Sequence, residues 1–424
     1  MLLQFICSNH KSIRNEAVFS TLASSDDTYS SRLMEFSGFR ILKYAVIYGA
    51  NGSGKSNFMD AVAFVRNMVI NSITHQPGAA VHQVPHRLES VNSESCYEIQ
   101  FVKNSTRYAY GFTLKLMEIK EEYLYCYPNN RQTVIFERSG NSFTEGNRFH
   151  GRLSSCRDVL KPNRLLLSCA ANFSSVTEIA EVYDFFRTDL VVYNPLNRES
   201  WLNYSLYQMA QCPEMKSAVL KFLDELGTGI RDIRIAVDET KLESSLISPF
   251  YTQDIRPLLL QNSTDAIKAH VVFDKFETDL MNEESTGIKK LLALLSPIID
   301  TIVNGRVLIC DELESGLHES VLFALVRLFA DYRSDRFPQL IFTTHETGLL
   351  SLDLFRRDQI WFTELRNEDR STDLYSLAEI RKIRKDDNFE KGYISGKYGA
   401  IPMLNLDFAS IIKDLQEFSG HGET

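Results

Sequence analysis

The sequence predicts a mixed α/β fold with a parallel sheet covered by helices, and two observations support that prediction. Apolar, β-branched runs alternate with amphipathic helical patterns between residues 268 and 362. Residues 1–60 run as strand, polar loop, strand, glycine-rich loop and helix. Such alternation is typical of parallel strands with helical cover. A third region, residues 97–138, is rich in Tyr, Phe, Ile and Val between turn residues, which favours an antiparallel set of strands.

Each element follows from a local pattern. The run 44–48 is short, apolar and bounded by Gly49, as expected of a buried strand. After Lys55 the apolar residues recur at helical spacing on one face, namely Phe58, Val62, Val65 and Val69. The same criteria predict strands at 1–6, 230–237, 269–273, 306–310, 339–342 and 358–362, and helices at 178–187, 204–226, 287–303 and 317–332.

Three regions are expected along the 424 residues. Residues 1–140 are predicted to form the N-terminal part of the core together with an antiparallel β subdomain. Residues 266–424 are predicted to complete the core from the C-terminal side. Between them, residues 141–265 carry weaker patterns and are predicted to be a largely helical insertion.

Composition excludes several classes of protein. The chain is 44% hydrophobic and 24% charged, an ordinary balance for a globular protein. No apolar run approaches the ~18 residues of a membrane span, so no membrane association is expected. The net charge of -9 provides no global basic footprint for nucleic acid. Seven scattered cysteines without metal-ligand spacing fit a reducing cytoplasm.

Residues 49–56, Gly-Ala-Asn-Gly-Ser-Gly-Lys-Ser, match the phosphate-binding pattern G-x-x-x-x-G-K-[ST] between a strand and a helix. Glycines let backbone N–H groups curl around phosphates, and the helix start adds partial positive charge. Lys55 is expected to neutralise the β- and γ-phosphates and Ser56 to ligate Mg²⁺. The residues predicted to bind nucleotide are Gly49, Asn51, Gly52, Ser53, Gly54, Lys55, Ser56 and Asn57.

A second buried strand, 307–310, ends in the adjacent acids Asp311 and Glu312. Two adjacent carboxylates at the end of a buried strand cost free energy through desolvation unless they bind a cation or a water molecule. Asp311 is therefore expected to be linked to Mg²⁺ and Glu312 to polarise the attacking water. His345 follows the strand at 339–342, where ligand sites of open α/β sheets gather, and is expected to donate a hydrogen bond to the γ-phosphate.

These segments together resemble the ABC-type ATPase head of RecF, SMC proteins, and the OLD-like and abortive-infection ATPases of prokaryotes. The segment 283–287, Glu-Glu-Ser-Thr-Gly, lies where an ABC signature is expected before the acidic strand. The other matching segments are 49–56 (Walker A), 307–312 (Walker B), 314–318 (D-loop position) and 343–345 (switch histidine).

The resemblance implies that the chain binds and hydrolyses ATP with Mg²⁺. In the family the signature acts on ATP held by the opposite subunit, so Ser285 and Gly287 are expected to complete a neighbour's site. A head-to-head homodimer or a higher homo-oligomer is therefore implied. The signature is not the Leu-Ser-Gly-Gly of transporters, which argues against a transporter head. No glutamine can be assigned to the Q-loop, for which Gln76, Gln83 and Gln100 are open alternatives.

Two further segments are similar to stand-alone ATPases paired with toxic effectors in phage-defence operons. Residues 9–13, Asn-His-Lys-Ser-Ile, are similar to their early N-x-K-S stretch, and residues 393–402 resemble their C-terminal G-x-Y-G-A-x-P tail. The chain ends soon after this tail, which leaves no room for the nuclease domain of OLD proteins. A co-encoded, nuclease-like effector protein is therefore an expected partner, with this chain as the sensor or regulatory subunit.

Two other functions stay open at this point. A RecF-like repair ATPase would bind DNA, and residues 381–385 include a small basic run, although Asp386 and Asp387 follow it directly. Alternatively, the chain is an ATP-binding scaffold that hardly turns over. Comparing hydrolysis by the natural protein and by Glu312→Gln distinguishes an active ATPase from such a scaffold.

Overall fold

The structure is a computed structural model, and it describes residues 1–81, 83–90, 92–238, 240–241, 266–333, 335–351, 353–381, 383, 387–402 and 411–412. None of the described helices is both long and apolar enough to cross a membrane. The helices are α1 (Lys55–Asn71), α2 (Leu166–Phe173), α3 (Thr177–Asp184), α4 (Arg198–Gln211), α5 (Pro213–Glu225), α6 (Thr286–Asn304), α7 (Glu319–Asp331) and α8 (Phe389–Ile394). The strands are β1 (Leu2–Ser8), β2 (Ala17–Ser20), β3 (Met34–Phe36), β4 (Phe39–Ile41), β5 (Tyr44–Gly49), β6 (Ser95–Lys103), β7 (Thr106–Lys115), β8 (Glu118–Cys126), β9 (Thr133–Ser139), β10 (Ser142–Glu145), β11 (Leu190–Tyr193), β12 (Asp232–Val237), β13 (Ile267–Val272), β14 (Glu277–Asp279), β15 (Val307–Cys310), β16 (Gln339–Thr343), β17 (Ile360–Leu365) and β18 (Thr372–Ser376).

A six-stranded sheet forms the centre of the fold, in the order β11-β15-β16-β5-β17-β18. Its strands are parallel except β18, which pairs antiparallel with β17 at one edge. Every residue of β5, β15 and β16 is buried, as expected for parallel strands covered on both faces. The predicted parallel sheet is confirmed. Because these strands run in one direction, their carboxyl ends meet at the same edge.

Alternate residues of the central strands face two separate cores, as the two-residue period of a strand requires. On one side, Ile47 packs with α1 and the antiparallel sheet. On the other side, Val46 packs with α4, α6 and α7. The predicted apolar face of α1 is confirmed, since its four residues Phe58, Val62, Val65 and Val69 are all buried.

A seven-stranded antiparallel sheet lies on the α1 side, in the order β10-β9-β8-β7-β6-β1-β2. The predicted antiparallel region 97–138 forms its middle, and the expected first strand is β1. Burial alternates along β6, whose inward residues Tyr97, Ile99 and Phe101 share a core with α1. This sheet therefore supports the helix that begins at the phosphate-binding loop.

The region 141–265 contributes strands to the sheets on either side of it, in addition to its helices, and β10 already belongs to the antiparallel sheet. The region also contains β11, which is an edge strand of the central sheet and pairs in parallel with β15. The helix expected over 204–226 is two helices, α4 and α5, because Pro213 has no N–H to continue a helix and suits the first turn of a new one. Residues 242–265 lie outside the described residues, and the three-part division of the chain stays a prediction.

The strands expected at 230–237 and 269–273 are confirmed as β12 and β13. They do not join the central sheet, however. They pair antiparallel with each other, and β14 completes a separate three-stranded sheet. Inward residues of this sheet, such as Ile233 and Val271, share the core with α6. In the chain, the last strand of this small sheet, β14, is followed by α6, the helix that carries the predicted signature.

Candidate active site

The phosphate-binding loop joins β5 to α1 at the carboxyl edge of the central sheet. Gly52 and Gly54 have positive φ angles of 76° and 106°, which glycine adopts at no steric cost. A Cβ atom at Gly54 would collide with the side chain of Thr372, and one at Gly49 would collide with Thr363. The main chain therefore forms the surface of this loop, as a phosphate cradle requires.

The side chain of Lys55 lies inside the loop. Lys55 is only 5% exposed, and its Nζ donates hydrogen bonds to the carbonyl oxygens of Gly49 at 2.7 Å and Ala50 at 3.1 Å. Burial lowers the pKa of Lys55 to about 8, although Asp311, Glu314 and Glu312 favour its charged form. The Lys55 ammonium group is thus held near three acids, and a bound anion could replace the carbonyl oxygens of Gly49 and Ala50 as its hydrogen-bond partners.

The predicted nucleotide-binding residues divide into two groups by exposure. Asn51, Gly52 and Ser56 are exposed, whereas Ser53, Gly54 and Lys55 are buried. The hydroxyl of Ser53 bonds Thr363 Oγ1 at 2.7 Å, within the central sheet. The loop therefore offers Ser56 and its exposed main chain to a ligand, while Ser53 anchors it.

Two residues distant in sequence brace the loop, and sequence reasoning assigned neither to it. Thr372 Oγ1 lies 2.8 Å from the carbonyl oxygen of Ser53 and 2.7 Å from Ser12 Oγ. Asn57, predicted to bind nucleotide, donates its side-chain amide to Ser12 Oγ at 2.6 Å. The N-x-K-S stretch and β18 therefore clamp the start of α1. Only the three-dimensional pairing of β17 with β18 brings Thr372 to this position.

The two acids after β15 are held by one hydroxyl group. Thr343, the last residue of β16, donates to Asp311 Oδ1 at 2.6 Å and accepts the main-chain N–H of Glu312 at 2.8 Å. Asp311 is 7% exposed and Glu312 is partly buried. Glu312 has a φ of 49°, a left-handed conformation that is sparsely populated by residues other than glycine.

A third carboxylate, Glu314, lies in the same site. Its Oε1 accepts the main-chain N–H of His345 at 2.8 Å. Its Oε2 is buried and has no hydrogen-bond partner among the described residues. Such an orphaned oxygen near Lys55 and Asp311 fits a site that takes a cation or ordered water. The sequence pattern had placed Glu314 in the D-loop position without giving it a role.

His345 is exposed at the end of β16. Partial desolvation, followed by the positive charge of Lys55, lowers the pKa of its imidazole. The ring is therefore neutral near neutral pH, with one N–H to donate and one nitrogen to accept. This is compatible with the predicted role as a hydrogen-bond donor to a phosphate oxygen.

The predicted signature residues lie at the start of α6. Ser285 is the N-cap, and its Oγ accepts the N–H of Ile288 at 3.2 Å. Both Ser285 and Thr286 are exposed. A Cβ atom at Gly287 would lie 2.7 Å from the carbonyl oxygen of Gly316, so only glycine permits this approach of α6 to the loop after the acids.

Asn194 directly follows β11, the strand that pairs with the acid-bearing strand β15. β11 ends beside β15 with Tyr193 opposite Cys310, and the N–H of Asp311 donates to the carbonyl oxygen of Tyr193 at 3.2 Å. Asn194 therefore follows at the same edge as Asp311. By contrast, the amides of Gln83 and Gln100 bond Ser95 and Glu98 on the antiparallel sheet. The apolar run before Asn194-Pro195 was the signal for this strand.

A family model described as "AAA domain, putative AbiEii toxin, Type IV TA system" matches residues 45–150 and 178–351, which is more than half of the chain. No curated protein sequence matches the chain. Among solved structures, the chain is similar to an SMC head bound to the C-terminal winged-helix domain of ScpA, with 14% identity, a TM-score of 0.44, and coverage of 88% of this chain and 97% of that one.

Two other SMC heads are similar at the same low level. The head domain from Thermotoga maritima has 13% identity and a TM-score of 0.40, and the alignment covers 88% of this chain and 98% of that one. A head domain with an extended coiled coil, bound to the C-terminal domain of ScpA from Pyrococcus furiosus, has 13% identity, a TM-score of 0.37, and coverage of 89% and 96%. The family match confirms the predicted resemblance to ATPases of the abortive-infection kind, and the chain belongs to the family of AAA domains described as putative AbiEii toxins of type IV toxin–antitoxin systems.

Proposed function

We propose that the chain binds ATP with Mg²⁺ and hydrolyses it to ADP and phosphate. The observation that carries this proposal is a buried Lys55 at the sheet edge where the charges of Asp311 and Glu312 favour its charged form. At the same edge Thr343 bonds the Asp311 carboxylate and the main-chain N–H of Glu312. A phosphate cradle with a cation suits the nucleotide, and carboxylate and hydroxyl oxygens are ligands that Mg²⁺ accepts.

Each residue has a separate role in this proposal. The exposed main chain of the 49–56 loop and Lys55 bind the β- and γ-phosphates. Ser56 and Asp311 would hold Mg²⁺, which would neutralise phosphate charge. Glu312 orients a water molecule and accepts its proton as the water oxygen bonds the γ-phosphorus. The bond from that phosphorus to the bridging oxygen breaks and ADP leaves. Neutral His345 donates a hydrogen bond to the γ-phosphate.

Glu312→Gln tests hydrolysis separately from binding. The amide keeps the size of the side chain but is not a base, so we expect the turnover rate to fall at least about a hundredfold while ATP affinity is retained. Phosphate release and equilibrium ATP binding are the two measurements. Glu368→Gln, the same change at an exposed glutamate, is the matched control and should match the natural protein. Equal, negligible hydrolysis by the natural protein and Glu312→Gln would instead favour an ATP-binding scaffold.

The proposed active form is a head-to-head dimer with two shared ATP sites. Ser285 and Thr286 are exposed at the start of α6, where a hydroxyl and free N–H groups of a helix terminus suit a phosphate. Within the described residues, Ser285 Oγ accepts an N–H of its own helix, and Gly287 approaches the loop at Gly316 of the same chain. These features support presentation of the signature to ATP bound by a second subunit.

Ser285→Arg tests this arrangement. A bulky cation at the proposed interface should block the shared site, so we expect hydrolysis to be abolished and ATP binding by the monomer to persist. Asn282→Arg places the same charge at a nearby exposed position and should retain hydrolysis. Sedimentation with and without ATP reports the dimer. Full hydrolysis by Ser285→Arg would refute the shared site.

We further propose that the chain is the cytoplasmic regulatory subunit of an anti-phage defence system and controls a separate, nuclease-like toxic effector. The description of the family as a putative AbiEii toxin of a type IV toxin–antitoxin system supports a setting in which the chain has a partner protein. The seven cysteines are free thiols in the structure, which suits a reducing compartment. A RecF-like DNA-binding ATPase is the alternative. Its basic run includes Lys382, Arg384 and Lys385, which lie outside the described residues.

Affinity capture of Glu312→Gln, loaded with ATP in cells that carry its native gene neighbourhood, separates these two roles. We expect a stoichiometric protein partner that is co-encoded with the chain. Nucleic acid alone, lost steeply as salt rises, would overturn the regulatory role and support the DNA-binding ATPase. Ser285→Arg captured in parallel shows whether the bound component requires the ATP-closed dimer.

A further inference from the structure

Lys290 on α6 is buried to an extent that is unusual for lysine. It is 1% exposed, and its Nζ donates a hydrogen bond to the main-chain carbonyl oxygen of Glu312 at 2.6 Å. Burying an ammonium group is costly, and here burial lowers the pKa of Lys290. An apolar side chain of similar length would fill the position without that cost. The contact with Glu312 is therefore the feature that distinguishes lysine from an apolar residue here.

A second contact joins the same part of α6 to the same loop. Gly287 lies one turn before Lys290 and packs so closely on the carbonyl of Gly316 that a Cβ atom would be 2.7 Å from its oxygen. Within the loop, the N–H of Ser315 donates to the carbonyl oxygen of Glu312 at 3.2 Å. The start of α6 and the 312–316 loop are thus attached at two points.

The residue that Lys290 contacts is in a strained conformation. The φ of 49° at Glu312 lies in the left-handed region, which is unfavourable for a residue other than glycine. Thr343 holds the N–H of Glu312 from one side, and Lys290 holds its carbonyl from the other. Strain of this kind persists only where the surroundings enforce it. Without Lys290, the carbonyl of Glu312 keeps its bond to the Ser315 N–H within the loop but loses its attachment to α6.

We propose that Lys290 is a positioning residue that couples the signature at Ser285 to the water-orienting Glu312 of the same chain. This inference rests on the proposed function. Ser285 of one subunit acts on ATP held by the other, and the attachment of α6 transmits that engagement to Glu312 in the subunit's own site. ATP in one site therefore sets the geometry of the acid in the second site, and the two sites hydrolyse ATP cooperatively.

The experiment compares Lys290→Met, Lys290→Arg and Lys289→Met. Lys289 is the adjacent residue, and its Nζ bonds the carbonyl of Met281, so Lys289→Met is a matched control. For Lys290→Met we expect the turnover rate to fall at least about tenfold, with ATP affinity within about twofold of the natural value. The sigmoidal dependence of rate on ATP should become hyperbolic. Lys290→Arg, which keeps a donor, should restore part of the rate, and Lys289→Met should change neither.

Hydrogen exchange of the nucleotide-free protein gives a readout that does not depend on hydrolysis. We expect amides of residues 312–316 to exchange faster in Lys290→Met than in Lys289→Met. The positioning role would be overturned if Lys290→Met changed neither amide exchange in residues 312–316 nor the turnover rate. It would also be overturned if ATP binding fell as much as the turnover rate. Absence of hydrolysis by the natural protein would instead reject the proposed function, whereas the exchange comparison would still test the attachment. Should Lys290→Met fail to fold, the same measurements on Lys290→Arg decide.

Discussion

The positions of Asp311 and Glu312 depend on two hydrogen bonds made by the hydroxyl group of Thr343. It donates to Asp311 and accepts from the main chain of Glu312, so a single atom ties the Asp311 carboxylate to the backbone that carries Glu312. β16 lies between β15 and β5, and its next residue, Thr344, donates its N–H to the carbonyl oxygen of Ile47 at 3.3 Å. β16 therefore fixes the distance between the acids after β15 and the phosphate-binding loop after β5.

The charged groups around this edge suit an anionic ligand and a divalent cation together. Lys55 is buried but faces Asp311, Glu312 and Glu314, each of which favours its charged form. Glu314 keeps one buried oxygen without a partner among the described residues, and His345 is neutral because desolvation and Lys55 both lower its pKa. The site holds more negative than positive charge before a ligand binds. A divalent cation bound beside the nucleotide would offset negative charge on both the acids and the phosphates.

Much of this site was predictable from the sequence because its parts are local. The phosphate-binding loop, the acid pair and His345 each follow a buried strand, and strand periodicity with motif spacing locates all of them. The contacts of Ser12, Thr372 and Lys290 were not predictable, because they join residues that are far apart in the chain and belong to no repeating pattern. The break between α4 and α5 was foreseeable, since Pro213 marks it. The weak patterns of 141–265 concealed β11, a strand of only four residues.

The most direct test of this account replaces Thr343 by valine, which keeps the shape of the side chain and removes the hydroxyl. Thr344→Val is the matched control, because Thr344 is also buried and accepts one main-chain N–H, from Glu346 at 3.0 Å. Loss of one charge-assisted and one neutral hydrogen bond amounts to about 2–4 kcal/mol, so we expect the turnover rate of Thr343→Val to fall at least about tenfold below that of Thr344→Val. Equal rates for the two variants, with ATP binding intact in both, would contradict the central place given to Thr343.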